Sequence, residues 1–328
     1  MTSPVHGIVF SYNRAMQLDA TLRSFYLHCR DAQLVHLTVL IKTDDPHYAQ
    51  QYQSLAIDYP QVTFYPEKNF RQDALKILTA CLPNLFVRLW LLSFSYLLNT
   101  QHIQIPFIKG VINRQARKMQ QRIAFEKNRL HNKSYTLFLV DDNVFVNDFS
   151  MVDVIQTLES CPDGLGFSLR LGKNTSYCYT RDSNQRLPFF SQLNQKVMCY
   201  AWPEADFDFG YPLEISSSVF CSPQIAALVS TLQFNQPNKL EGVLAACSHL
   251  FRETYPHLLC FETSVTFCNP VNMVQQIFSN RAGEVEAFSA QALAERFDCG
   301  DRINVKALDG FVSNSCHQDI EFRFNRFS

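Results

Sequence analysis

The sequence of 328 residues has no excess of basic side chains and no recognisable leader segment. Its 29 lysines and arginines stand against 30 acids, which gives a net charge of -1 and a pI near 6.7. A general nucleic-acid-binding protein is usually basic overall, so this class is disfavoured. The chain does not start with a basic region followed by an apolar one, so no secretory signal is evident and a cytoplasmic location is expected.

Paired cysteines, internal repeats and low-complexity tracts are also missing. The eleven cysteines are an odd number, are scattered from Cys29 to Cys316 and include no C-x-x-C pair. Reduced thiols that mostly fill the core are therefore expected. Apolar residues make up 47% of the chain and charged residues 18%. This composition predicts a globular protein with one large core or two fused ones.

The first half of the chain alternates between strand-like and helix-like segments. Residues 5–11 and 36–42 have the apolar character of buried strands, and helical spacing follows each of them. Asp44 or Asp45 can cap the second helix, and Pro46 suits its first turn. Such alternation predicts a parallel sheet whose ligands bind at the carboxyl ends of the strands.

Beyond residue 150 the strand-like segments are separated by irregular polar and aromatic loops, with one helix signal over residues 238–251. This pattern indicates a mixed sheet that continues from the parallel one. A composition shift near residue 150 suggests a nucleotide-binding half over residues 1–150 and an acceptor-binding half over residues 151–328, joined in one compact unit.

Residues 83–130 read as a helical insertion into the first half. Their apolar part is interrupted by Arg88 and is shorter than the roughly 20 residues that a membrane-spanning helix needs. The part that follows carries one acid, Glu126, against the cations Lys109, Arg114, Arg117, Lys118, Arg122, Lys127 and Arg129. Two interpretations stay open: peripheral contact with an anionic membrane at its inner face, or a buried hairpin with a solvated basic surface.

One apolar run, residues 135–146, is broken by Asp141, Asp142 and Asn143. Two carboxylates and an amide at a strand end offer oxygen ligands for Mg²⁺ or Mn²⁺, which complete their coordination with substrate phosphate oxygens. Asp and Asn also favour turns and helix caps, so a plain turn is the other interpretation.

Several segments carry a resemblance to a known family. GIVFSYNRAMQLDATLRSF, residues 7–25, resembles the first strand, Asn-Arg turn and first helix of GT-A glycosyltransferases of the family-2 type. LFLVDDN, residues 137–143, is similar to their strand-end Asp-x-Asp motif, and residues 269–283 resemble a loop of a bacterial subgroup. The resemblance implies an α/β fold with a GT-A type, Rossmann-like mixed sheet flanked by helices. It also implies a metal-dependent transferase, of the hexosyltransferase type, that uses Mn²⁺ or Mg²⁺.

The same resemblance assigns roles to individual residues. The donor, a UDP- or GDP-sugar, would contact Ser11, Asn13, Arg14, Asp44, Asp45, Arg71 and Asp142. The metal would be held by Asp141, Asn143 and His317. Glu241 corresponds to the general base that accepts the proton of the acceptor hydroxyl. The acceptor would be a glycan, a lipid-linked molecule or a small molecule, and no nucleic acid is expected as a partner.

Several of these residues have a plainer interpretation. Asn238 and Glu241 are spaced as a helix-capping box, which alone would explain the glutamate. Trp202 suits stacking on a sugar or packing in the core, and Lys173 suits a phosphate contact or the surface. If Glu241 is not the base, the next acids to consider are Asp206, Asp208 and Glu214.

Two other functions belong to different classes. A GT-A-like domain that binds nucleotide or glycan without turnover is suggested by Asn143, which stands where the family motif has an aspartate. A nucleotide-sugar pyrophosphorylase would have a glycine-rich basic loop after the first strand, and the stretch FSYNRAMQ contains no glycine.

Overall fold

The computed structural model describes residues 5–82, 84–98, 106–125, 134–272 and 288–326. Three charged residues of the basic segment, Glu126, Lys127 and Arg129, lie outside the described residues. Most of the loop over residues 269–283 also lies outside them.

The described residues form an α/β fold. The helices are α1 (Ala15–His28), α2 (Pro46–Asp58), α3 (Phe70–Ala80), α4 (Leu85–Leu98), α5 (Pro106–Phe125), α6 (Met151–Ser160), α7 (Ser222–Ser230), α8 (Pro237–Ala246) and α9 (Ala290–Asp298). The strands are β1 (Val5–Tyr12), β2 (Val35–Lys42), β3 (Thr63–Pro66), β4 (Tyr135–Val140), β5 (Asn143–Phe145), β6 (Gly164–Ser168), β7 (Tyr177–Cys178), β8 (Ser183–Asn184), β9 (Ser191–Gln192), β10 (Val197–Ala201), β11 (Ser218–Cys221), β12 (His257–Phe261), β13 (Thr266–Cys268), β14 (Asp301–Ile303) and β15 (Phe324–Arg326).

Nine of the strands form one mixed sheet in the order β3-β2-β1-β4-β11-β6-β12-β10-β9. The first four are mutually parallel, whereas β11 runs antiparallel to both β4 and β6. Strands from before and after residue 150 thus share one sheet, as expected. The predicted α/β architecture, a mixed sheet flanked by helices with a helical insertion in its first half, is confirmed. The functional division at residue 150 stays a prediction.

The central strands are apolar along their length because helices cover both faces of the sheet. Alternate residues of β1 point to opposite faces: Val9 packs in the core under α1, whereas Ile8 and Phe10 pack in the core under α3. All three side chains are buried. This burial holds the end of β1, and the loop after it, in a defined position.

The N-terminal ends of α2 and α8 test two expectations from the sequence. Asp45 accepts a hydrogen bond from the backbone N–H of His47 at 2.7 Å, and Pro46 opens α2, so the predicted cap is confirmed. The proposed capping box of α8 is wrong: Gln236 is the N-cap residue and Pro237 is the first helical residue. Asn238 and Glu241 therefore lie inside the helix, where a reciprocal cap cannot form.

The insertion contributes α4 and α5, which contact each other and both pack on α7. None of the described helices is both long and apolar enough to cross a membrane. The cysteines behave as expected, since all eleven are free thiols and nine of them are buried. Strand β12, HLLCF, was not identified from the sequence.

Candidate active site

A cavity of about 690 Å³ opens where β1 and β4 end. These strands are parallel neighbours and pair Phe10 with Val140, so the residues that follow both strands meet at one edge of the sheet. The polar residues of the cavity wall include Ser11, Tyr12, Arg14, Lys42, Asp141, Asp142, Arg170, Asp208, Glu241 and His317. Six of the predicted site residues thus share one cavity: Ser11, Arg14, Asp141, Asp142, Glu241 and His317.

Asp141 is held by the loop that follows β1. Its Oδ2 accepts hydrogen bonds from the Ser11 hydroxyl at 2.9 Å and from the Tyr12 backbone N–H at 3.1 Å. Its Oδ1 forms an ion pair with Nη1 of Arg14 at 3.1 Å. The Thr21 hydroxyl anchors the backbone by donating to the carbonyl oxygens of Asp141 and Asn143. These contacts fix the position and orientation of the carboxylate.

Asp142 is the less satisfied member of the acidic pair. Its Oδ2 lies 3.5 Å from the same Nη1 of Arg14. Its buried Oδ1 has no hydrogen-bond partner among the described residues. Burial raises the pKa of Asp142 to about 6; Arg14 opposes this change and Asp141 adds to it. A buried carboxylate oxygen without a partner is costly, which indicates that it meets a ligand from outside the chain.

Asn143 does not face the cavity, so its prediction as a metal ligand is wrong. Its side chain is fully buried. The Oδ1 atom accepts from the Val140 backbone N–H at 2.8 Å, and Nδ2 donates to Sγ of Cys268 at 3.5 Å. The cause is the pairing of β5 with β13, which sets Asn143 opposite Cys268 and turns its amide into the fold.

Two of the predicted donor contacts, Asn13 and Asp44, lie on the rim next to Tyr12. The Tyr12 hydroxyl and Asn13 Nδ2 both donate to Oδ2 of Asp44, and the Asp44 backbone N–H donates to Asn13 Oδ1 at 3.2 Å. Asn13 has a φ of 54°, in the left-handed region that asparagine tolerates best among residues other than glycine. This network joins the loops after β1 and β2 and leaves the Asp44 side chain exposed to solvent.

Asp45 and Arg71 do not line the cavity. The Asp45 side chain caps α2. The donor contact predicted for Arg71 is wrong. The side chain is only 3% exposed and donates to the carbonyl oxygens of Leu232, Ser95 and Ser230. These bonds tie α3 to α4 and α7, and burial lowers the pKa of Arg71 to about 10. Its guanidinium therefore supports the fold and cannot reach a donor in this position.

Glu241 reaches the cavity from the middle of α8. Its Oε1 accepts a hydrogen bond from the backbone N–H of Ile215 at 3.4 Å. Burial raises the pKa of Glu241 to about 7; Glu214 adds to the rise and Arg170 opposes it. A carboxylate that titrates near neutral pH is suited to accept a proton from a hydroxyl.

A buried ion pair behind Glu241 was missed by the sequence analysis. Arg170 Nη2 lies 3.6 Å from Oε2 of Glu214, and both side chains are almost fully buried. Glu214 also accepts from the backbone N–H groups of Ser216 and Ser217 and from the Ser218 hydroxyl. The sequence did contain a signal for this pair, because each of two apolar stretches, SLRLG and PLEIS, carries a single charged residue. A charge in a buried strand or loop is usually paired with an opposite charge.

Arg170 has donor capacity left over. Its Nε and Nη1 are buried and have no hydrogen-bond partner among the described residues, and the side chain lines the cavity. His317 lies on the same wall, where burial, together with Arg170, lowers its pKa to about 3. The imidazole is therefore neutral at pH 7, which is the form that binds metals.

No three His, Cys, Asp or Glu side chains come together as a ready-made metal site in the part of the chain that the structure describes.

Three further residues considered in the sequence analysis differ in position. Asp208, one of the alternative acids, lines the cavity and has its pKa raised by burial. Trp202 is a core residue whose indole donates to the Tyr255 carbonyl at 2.7 Å. Lys173 pairs with Glu262 at the surface.

No protein-family model matches the chain. A curated relative is the bifunctional glycosyltransferase pgtA of Dictyostelium discoideum, which is 22% identical over 299 residues and covers 83% of this chain. The chain spans about a third of the length of that relative, 32%.

The chain also has low similarity to several solved structures. TarS of S. aureus has a TM-score of 0.39 and 12% identity, over 80% of this chain and 36% of that one. Mouse xyloside xylosyltransferase 1, in its apo form, has a TM-score of 0.29 and 10% identity, over 76% of each chain. Core-mannan synthase A of Aspergillus fumigatus, in its Mn/GDP form, has a TM-score of 0.23 and 15% identity, over 54% of this chain and 45% of that one. The similarity to a glycosyltransferase that the sequence motifs indicate is confirmed by the Dictyostelium relative.

Proposed function

We propose that this chain transfers a sugar from a nucleotide-diphosphate donor to an acceptor hydroxyl, with the help of a divalent metal ion. The observation that carries the proposal is a single cavity with an acidic pair at the end of β4 and a carboxylate of raised pKa on α8. The acidic pair suits the binding of a metal-bound diphosphate, and the carboxylate on α8 suits proton uptake from an acceptor hydroxyl. The similarity to a glycosyltransferase supports the same reaction.

The acidic pair fits a hard cation such as Mn²⁺ or Mg²⁺. One guanidinium, Arg14, faces the two carboxylates Asp141 and Asp142, so this end of the cavity is negative when both are ionised. An anionic diphosphate would be repelled there unless further positive charge is present. Asp142, through the buried Oδ1 that has no partner among the described residues, and Asp141 would hold the ion, with His317 as a third candidate. Such an ion, when bound, supplies charge that stabilises the leaving diphosphate.

The remaining chemistry belongs to residues of this chain. Arg14 is held between the two carboxylates and presents a fixed positive charge beside the position proposed for the diphosphate. Glu241, once ionised, accepts the proton of the acceptor hydroxyl as that oxygen attacks the sugar carbon. The Ile215 backbone N–H holds the Glu241 carboxylate in place for this step.

The cavity divides into a donor end and an acceptor end in this proposal. The rim network of Tyr12, Asn13 and Asp44 lies beside the acidic pair and would contact the nucleotide of a UDP- or GDP-sugar. Arg170, whose Nε and Nη1 have no hydrogen-bond partner in the described part of the chain, lies with Glu241 on the part of the wall that comes from beyond residue 150. There it can hydrogen-bond to oxygens of a hydroxyl-rich acceptor, such as a glycan.

A domain that binds nucleotide or glycan without turnover is not favoured. That alternative depended on Asn143 as a weakened metal ligand in place of an aspartate. Since the Asn143 amide is turned into the fold, its identity does not alter the polar groups that face the cavity.

The test is a thermal-shift and hydrolysis screen of UDP-, GDP-, CMP- and dTDP-sugars, each with and without Mn²⁺. A ligand that binds only the native state raises the melting temperature by mass action. We expect stabilisation and slow donor hydrolysis with a UDP- or GDP-sugar, both dependent on Mn²⁺. Failure of every nucleotide to bind, or binding that is indifferent to the metal, would overturn the assignment.

A further inference from the structure

The outer face of α4 exposes an apolar strip that the proposed reaction does not use. Phe86 is 83% exposed, Leu89 54% and Trp90 55%. On the opposite side of the same helix, Leu91 and Ser95 are buried. Soluble proteins rarely leave such a strip of large apolar side chains uncovered, and where they do it often marks an interaction site.

A neighbouring helix, α5, exposes several cations. Helices α4 and α5 contact each other, and both pack on α7. Arg114, Arg117 and Lys118 are exposed on α5, and none of them forms an ion pair with a described residue. Neither helix contains an aspartate or a glutamate. The surface thus has an apolar strip on one helix, and the charged side chains on the other helix are all basic.

We propose that this surface, formed by Phe86, Leu89 and Trp90 of α4 with Arg114, Arg117 and Lys118 of α5, docks on an anionic lipid bilayer. Aromatic and aliphatic side chains enter the boundary between headgroups and acyl chains, and arginine and lysine bind the anionic headgroups. The chain would lie on the membrane without crossing it, since none of the described helices can span a bilayer.

The charge and apolar character of the surface favour an anionic membrane over a second copy of the chain or a nucleic acid. A symmetric pair of chains joined through this face would bring the cations of each copy against those of the other, which is unfavourable. A nucleic acid would use the cations and gain nothing from the apolar strip, because its contacts are mainly with phosphates. An anionic membrane alone uses both halves of the surface.

The six residues do not line the cavity, so this inference and the proposed function can fail separately. The experiment is flotation of the whole chain with vesicles of phosphatidylcholine alone, or with about one third phosphatidylglycerol. We expect binding to the anionic vesicles only, and we expect it to weaken as salt rises from about 0.1 M to about 1 M, because salt screens the headgroup charge.

Two sets of variants test the two halves of the surface. F86S/W90S removes apolar side chains and R114Q/R117Q/K118Q removes charge, and each should weaken anionic-vesicle binding by about tenfold or more. Phe189→Ser and Lys196→Gln are matched controls, since both residues are exposed elsewhere. Circular dichroism melts should show every variant folded, because all the substituted side chains are solvent-exposed.

Four results would overturn the inference. They are equal binding to neutral and anionic vesicles, no binding to either, equal losses in the control variants, and displacement from anionic vesicles by an equal charge of RNA. Stabilisation by a nucleotide sugar, measured in the same variants, reports on the proposed function alone. It should be unchanged whether or not the vesicles bind.

Discussion

The carboxylate of Glu241 accepts a hydrogen bond from the backbone N–H of Ile215, at 3.4 Å, and does not cap the helix that carries it. The contact joins α8 to the loop that precedes β11, which also contains Glu214. It directs the Glu241 side chain into the cavity beside Arg170. The capping-box explanation of this glutamate is thereby removed, and its role as the base stays a proposal.

Replacing Glu241 by glutamine should abolish most of the transfer without unfolding the chain. The glutamine oxygen can still accept from Ile215, whereas the amide cannot take up the proton of an acceptor hydroxyl. We expect kcat to fall on the order of 10²-fold or more at saturating donor, with donor affinity unchanged. Transfer at the wild-type rate by a folded Glu241→Gln variant would exclude the residue as the base, and Asp208 would be tested next.

The pH dependence of stability should reveal the same group. Burial and Glu214 raise the pKa of Glu241 from the usual 4.5 to about 7, so the folded state holds this proton more tightly than the unfolded state. The resulting stabilisation is complete below about pH 4.5 and is lost as the pH rises through 7. Between those values, wild type should lose up to about 1.4 kcal/mol per pH unit relative to Glu241→Gln. The measurement is the free energy of urea unfolding of both proteins from pH 5 to 8. A difference between the two proteins that does not change with pH would contradict this assignment.

Activity should follow pH in the opposite sense. The proposed base, Glu241, can accept a proton only when it is ionised, so kcat/KM should rise as the pH increases through about 7. The measurement is an initial-rate profile with the donor and metal selected by the screen. A profile that is flat between pH 6 and 8 would show that another group accepts the proton.

Asp142→Asn should remove the response to metal while sparing the fold. The Oδ1 atom of Asp142 is buried without a partner among the described residues, so a neutral amide should be tolerated or stabilising in the absence of ligand. The rise in melting temperature caused by Mn²⁺ and nucleotide should disappear, as it should for wild type in EDTA. Asp58→Asn, at an exposed position on α2, is the matched control. A full metal response in Asp142→Asn would remove this residue from the site.

Asn143→Asp restores the residue type of the family motif but should not improve metal binding. The aspartate would lose the N–H that contacts Cys268 and would place a charge in a fully buried position. We expect a loss of about 2–4 kcal/mol of stability in urea unfolding. A lower Mn²⁺ concentration for half-maximal stabilisation would instead show that this side chain reaches the ion.

Arg71→Met distinguishes support of the fold from donor binding. The substitution removes a guanidinium that donates to three backbone carbonyl groups in the core. Stability should fall by about 2 kcal/mol or more, and the donor Kd of the folded protein should not change. Isothermal titration at a temperature well below the melting point provides the Kd. A tenfold weaker donor affinity would restore Arg71 to the binding site.

The sequence by itself determined the parts that depend on neighbouring residues along the chain. Continuous apolar runs identified β1, β2 and β4, because strands buried on both faces need apolar side chains throughout. The polar residues after β1 and β4 could then be placed at one edge of a parallel sheet. Asp141 and Asp142 were located in this way, and the Asp45 cap was found from local backbone chemistry.

The tertiary structure alone decided which polar side chains face the cavity. Asn143 follows directly after the acidic pair, yet the pairing of β5 with β13 turns its amide inward. The family resemblance assigned Arg71 to the donor, yet the carbonyl groups that surround it come from residues 24 to 161 positions further along the chain. Glu241 acquires its raised pKa from burial and from Glu214, 27 positions earlier. Side-chain direction and pKa depend on such long-range contacts, which periodicity and spacing do not encode.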